Sequence, residues 1–108
     1  MKPSTIARVC VGRALRHYRR RAGADQRTTG DLLGVDQSGY SKYERGAVPL
    51  PTHALFLIAD VIGTYPYEVT HTSHILFAAA MRDPDWASNP KTVALWADEV
   101  LSHWDEED

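Results

Sequence analysis

Cysteine is almost missing from this 108-residue chain: Cys10 is the single thiol, set in the apolar run Val9-Cys10-Val11. An intramolecular disulfide is therefore excluded, and a buried, inert thiol is the expectation. Long apolar stretches are missing too. The longest, residues 75–81, falls far below the roughly 20 residues that cross a bilayer. No N-terminal segment has the apolar centre and small-residue cleavage site of a secretory signal, so a cytoplasmic protein is expected. The chain also has no glycine-rich phosphate loop and no Gly-x-Ser-x-Gly, and its acidic residues 105–108 form a run without catalytic partners, which argues against an enzyme. His71 and His74 stand three apart. No third or fourth ligand accompanies them at metal-binding spacing, so neither a metal nor a cofactor is expected. What remains is ordinary for a globular chain, with 44% hydrophobic and 24% charged residues. That is too apolar for a disordered one.

The net charge of −2 conceals an asymmetry. Residues 1–50 hold ten Lys or Arg against four acids, whereas residues 51–108 hold two against ten. A basic half joined to an acidic half fits a chain of which one end meets a polyanion.

Helical periodicity runs through the chain. Ile6, Val9, Cys10, Ala14, Leu15 and Tyr18 recur at helix spacing from about Ser4, with Ser4 or Thr5 as cap and Gly23 as stop. Asp25 and Gly34 bracket a short second helix, weak because Thr28, Thr29 and Gly30 fall within it. Asp36 and Gly46 bracket a third over residues 37–45. A fourth ends at Gly63, and Tyr65-Pro66 opens a short fifth near Val69. Residues 73–82 favour a further helix through their alanines, with a strand as the alternative. Asn89-Pro90 starts a last helix carrying Val93, Trp96, Ala97, Val100 and Trp104 on one face.

Short helices joined by tight turns suggest a helix-turn-helix, in which one helix braces another that enters the major groove. In the third helix Tyr40 and Tyr43 would face inward with Leu33 and Val35. Gln37, Ser38, Ser41, Lys42 and Arg45 would then share an outer face free of acids. Glutamine can pair bidentately with adenine, and lysine can donate to guanine.

The segment Gly34-Val35-Asp36-Gln37-Ser38-Gly39-Tyr40-Ser41-Lys42-Tyr43-Glu44-Arg45-Gly46, followed by Pro49, resembles the motif of the Cro and phage-repressor (Xre-like) helix-turn-helix family. Leu15, Arg19, Gly23 and Gln26 upstream, and residues 58–63 downstream, fall in register with it, so the resemblance covers about residues 9–71. It implies an all-α, five-helix, lambda-repressor-like domain over residues 1–71; beyond it, the residue pattern reads as a helical extension over 72–108. It implies binding to double-stranded DNA by a transcriptional regulator, a repressor of phage or bacterial type. Gln37, Ser38, Ser41 and Lys42 would be the base readers, and Gln26 a phosphate contact aided by the amides of its helix N-terminus. Arg27, Arg45, Arg13 and Arg19 would be further phosphate contacts, and Glu44 a structural brace pairing with Arg19. Thr29 and Gly30 depart from the family's usual Leu and Ala. The second helix is therefore either poorly packed or unusually close to a neighbour.

All three tryptophans, Trp86, Trp96 and Trp104, follow residue 82. With Val100 they are expected either to pack the extension on the core or to form an interface. A homodimer is favoured, because two-fold binding reads two half-sites. The alternative is an antitoxin or adaptor whose acidic, tryptophan-bearing end holds a protein partner.

Overall fold

The computed structural model of the chain describes residues 1–83, 85 and 87–106, with the side chains of 105 and 106 left aside. Six helices and no strand are present among the described residues: α1 (Pro3–Arg21), α2 (Gln26–Leu33), α3 (Gln37–Arg45), α4 (Thr52–Ile62), α5 (Pro66–Met81) and α6 (Pro90–Glu106). The all-α expectation holds.

Local chemistry sets the ends. At α2 the Asp25 side chain accepts from the Thr28 amide at 2.7 Å, and at α3 Asp36 accepts from the Gly39 amide at 2.7 Å. These bonds satisfy N–H groups that the helix itself leaves without partners. The start of α1 differs from expectation. Pro3 occupies its first turn and Lys2 the cap position, with no side-chain cap bond. At α6 the Asn89 side-chain Oδ1 accepts from the Thr92 amide at 2.9 Å, as the Asn-Pro signal implied.

The largest departure is α5. One helix runs unbroken where a short fifth helix and a separate segment were expected, and the strand alternative fails. Tyr65 donates its amide to Glu68 Oε1 at 3.1 Å, and neither glycine nor proline interrupts residues 67–83. A nucleated helix therefore has nothing to stop it. The boundary placed between residues 71 and 72 falls inside this helix.

Two apolar clusters hold the fold, and α1 runs through both. Ala14 and Leu15 meet Tyr40, Leu55, Ile58, Ile62 and Val69. Nearer its N-terminus, Ile6, Val9 and Cys10 meet Leu76 and Ala80 of α5, Ala87, and Val93, Ala97 and Leu101 of α6. The C-terminal helix thus closes a second core on α1 and α5. Trp96, Val100 and Trp104 are partly buried against that cluster. Of the two roles open in their assignment, core packing or an interface, the chain's own core takes up part of their surface. Trp86, the fourth residue of that assignment, lies outside the described residues.

α1 and α3 touch through backbone. A Cβ on Gly12 would sit 2.6 Å from the Tyr43 carbonyl oxygen and closer still to that of Glu44. Gly46 closes α3 with φ +71°, and a Cβ there would lie 2.7 Å from the Val9 backbone, so only glycine fits. Gly30 resolves the open question about α2. A Cβ at that position would lie 3.0 Å from the Val35 carbonyl oxygen, and Thr29, fully buried, turns its hydroxyl back to the Asp25 carbonyl at 2.8 Å. The second helix is close to its neighbour, not poorly packed.

Candidate nucleic-acid interface

Tyr40 anchors α3 from below. It has no exposed surface and belongs to the cluster with Leu15, Leu55 and Ile58. Tyr43 packs partly buried on the same cluster, edge-on to Tyr40 with ring centroids 6.4 Å apart. With both rings turned inward, Gln37, Ser38, Lys42 and Arg45 stand exposed and Ser41 is half-buried. The outer face carries amide, hydroxyl, ammonium and guanidinium groups and no carboxylate. Such a face presents donors and acceptors to a groove edge and cations to phosphates.

Beneath it lies a buried ionic brace. Glu44 is 1% and Arg19 7% exposed. Arg19 donates through Nε and Nη2 to the two carboxylate oxygens at 2.5 and 2.9 Å, and through Nη1 to the Ala24 carbonyl at 2.7 Å. Gln26 Nε2 donates to Glu44 Oε1 at 2.9 Å. Burial pushes the Glu44 carboxyl up, but the bonds from Arg19 and Gln26 outweigh it and hold the group below the usual glutamate value. The Tyr40 hydroxyl lies beside this carboxylate without a well-aligned hydrogen bond to it. Burial, then the Glu44 charge, pushes that hydroxyl up. The brace ties the C-terminal turn of α3 to α1 and to the start of α2, as the Arg19–Glu44 pairing implied.

Two proposed phosphate contacts must be corrected. Arg19 is consumed by the brace. Arg13, 8% exposed, donates Nε to Asp98 Oδ1 at 2.8 Å and Nη1 to the Glu44 carbonyl at 3.3 Å. Both guanidiniums point into the protein because a carboxylate and carbonyls there replace the water they lose. The α2 N-terminus is also less open than expected, since Asp25 takes the Thr28 amide. Gln26 is half-buried with its amide nitrogen bound to Glu44, while Arg27 and Arg45 are exposed. Sequence reasoning missed Arg8, whose Nε donates to the Gly46 carbonyl at 3.3 Å and so supports the end of α3. Its partner is 38 residues away, so no local spacing signalled the bond.

A family model for the helix-turn-helix domain matches residues 10–71, more than half of the chain. The chain belongs to the helix-turn-helix domain family. The match takes in α2 and α3, the turn between them, and the support from α1, α4 and the first part of α5. It leaves α6 outside the helix-turn-helix match. No curated protein and no solved structure is similar enough to the chain to count as a match. Among the described residues no helix is long and apolar enough to cross a membrane, and no group of three or more His, Cys, Asp and Glu could hold a metal.

Proposed function

We propose that this helix-turn-helix protein is a sequence-specific double-stranded DNA-binding transcriptional regulator that represses by occluding a promoter, in the manner of phage and bacterial repressors. One observation carries the reading: α3 presents an acid-free polar face, fixed outward by the burial of Tyr40. Gln37, Ser38, Ser41 and Lys42 read base edges, while Arg27 and Arg45, with the second side-chain N–H of Gln26, hold the backbone. A good bidentate base contact contributes about 1–3 kcal/mol of discrimination.

The regulator acts as a homodimer in the cytoplasm. The support for dimerisation is exposed apolar surface: Phe56 and Leu57 of α4 are 56% and 53% exposed, and Tyr65 and Tyr67, also exposed, stack on each other. Exposed large apolar side chains mark association sites where they gather into a patch. Trp96 and Trp104 are partly buried against the chain's own core, which favours this reading over an antitoxin or adaptor that holds a protein partner through that end.

Selection of bound DNA from a random pool tests the proposal. A defined consensus with two related half-sites is expected. Gln37→Ala and Lys42→Ala should each weaken the selected site and relax preference at one position. Arg45→Ala should weaken all sequences alike and lower the salt slope by about one unit. A pool that never converges would refute the function. A one-sided consensus would refute the dimer alone.

A further inference from the structure

Helix α6 lies outside the helix-turn-helix match, yet a chain of bonds runs from it to the last turn of α3. A helix ends in carbonyls that none of its own amides can reach. In α3 those of Lys42 and Tyr43 accept from the Ala47 and Gly46 amides at 3.0 and 3.1 Å. The Glu44 carbonyl accepts instead from Arg13 Nη1 at 3.3 Å. Arg13 stands on α1, one residue after the glycine at which α1 touches α3. Its cation sits at the negative end of the α3 dipole and serves as a cap brought in from another helix.

Arg13 is itself held by α6. Its Nε donates to Asp98 Oδ1 at 2.8 Å, and the other carboxylate oxygen accepts from Arg16 Nη1 at 2.9 Å. With a cation on each oxygen, the carboxylate has a fixed direction. Burial and then the charge of Arg13 hold the Arg16 guanidinium below its usual value, and Asp98 opposes both. A cavity of about 390 Å³ opens beside these three side chains. Without the carboxylate, two like charges would face each other next to open space. Arg13, 8% exposed, would then recover water by swinging into that space, and its bond to the Glu44 carbonyl would be lost.

We propose that Asp98 is a positioning residue for DNA reading: acting through Arg13, it fixes the end of α3 that carries Ser41, Lys42 and Arg45, a role that rests on the reading proposed above for α3. Binding groups need to be held within about 0.5 Å of their productive places. A loosened last turn therefore costs affinity although no residue facing DNA has changed. Charge alone acts the other way, since a protein with one acid fewer attracts a polyanion more strongly. The sign of the effect separates the two.

The probe is the duplex selected from the random pool, bound to the full chain well below its melting temperature, with amide hydrogen exchange of the free protein alongside. The Asp98 side chain is 33% exposed, so Asp98→Asn should stay folded. It should weaken the duplex by about 2- to 30-fold, the range for couplings carried through packed side chains. The salt slope should not change, because no phosphate contact is lost. In the free protein the Gly46 and Ala47 amides should exchange faster, while those at the centre of α4 keep their rates. Asp98→Glu keeps a carboxylate and should recover part of the affinity. Glu99→Gln removes the exposed acid next along α6 and should bind as tightly as the parent or slightly more so. Equal or tighter binding by Asp98→Asn overturns the proposal, and so does weakening with a lower salt slope, which is loss of a phosphate contact. If a duplex is selected but exchange at Gly46 and Ala47 is unchanged in Asp98→Asn, the link from α6 falls and the DNA reading stands. If no duplex is selected while that exchange quickens, the link stands and the DNA reading falls.

Discussion

Replacing Glu44 with alanine tests the brace beneath α3. The substitution removes the acceptor of two Arg19 bonds and one Gln26 bond, and leaves a guanidinium that is 7% exposed with only the Ala24 carbonyl. Summing three charge-assisted bonds at about 1.5–3 kcal/mol each overstates the loss, because Arg19 can partly reorient. Removing one partner of a buried pair costs about 3–5 kcal/mol, a large share of the roughly 5–15 kcal/mol that holds a domain of this kind together. At about 4 °C per kcal/mol for this size, the melting temperature should fall by about 12–20 °C. Urea denaturation followed by far-ultraviolet circular dichroism measures the loss as a lower midpoint with unchanged slope. The double variant Arg19→Met/Glu44→Leu removes both charges and should lie closer to the parent than Glu44→Ala does. A cost below about 1 kcal/mol for Glu44→Ala, the range of exposed pairs, would refute the claim that this ion pair is buried and structural.

Because the folded protein holds the Glu44 carboxyl below its unfolded value, its contribution is complete above the ordinary glutamate pKa and fades as pH falls through the folded value. Acid titration of stability should therefore be steeper in the parent than in Glu44→Ala. Gly12→Ala pushes a methyl against the Tyr43 and Glu44 carbonyls and forces α1 and α3 apart. A loss of about 1–3 kcal/mol or more is expected by urea titration. Cys10 is buried and its thiol is pushed up to about 11 by that burial, so it should resist alkylation at pH 8 until denaturant is added. Rapid labelling of the native protein would contradict the burial.

The sequence made some of this structure readable because the signals were local. Asp25, Asp36, Gly34 and Gly46 act within one helical turn of themselves, and the three-residue spacing of Tyr40 and Tyr43 fixes which face of α3 turns inward. Arg13 and Arg19 were misread for the opposite reason. Within α1 they are two of five arginines in a short stretch and look equally solvated. Their burial depends on Asp98, 85 residues away, and on Glu44, 25 residues away. The amphipathic face of α6 was visible in Val93, Trp96, Ala97 and Val100, but a stripe of apolar residues does not name what it packs on. Here it packs on Ile6, Val9 and Cys10, the end of α1 farthest from the brace. The continuity of α5 was legible in the lack of any breaker after Pro66, and the β-forming residues near its middle obscured it.

α1 serves as a common axle for both apolar clusters, and this bears on how the molecule comes apart. Neither cluster can loosen completely without freeing the rod that the other grips, so unfolding should proceed as one event. Amide protons at the centre of α1 should then exchange with solvent only when the entire chain opens. Cutting the chain between α5 and α6 would strip cover from Ile6, Val9 and Cys10. The damage would travel down the same rod to α3, which rests on it through Gly12 and Gly46.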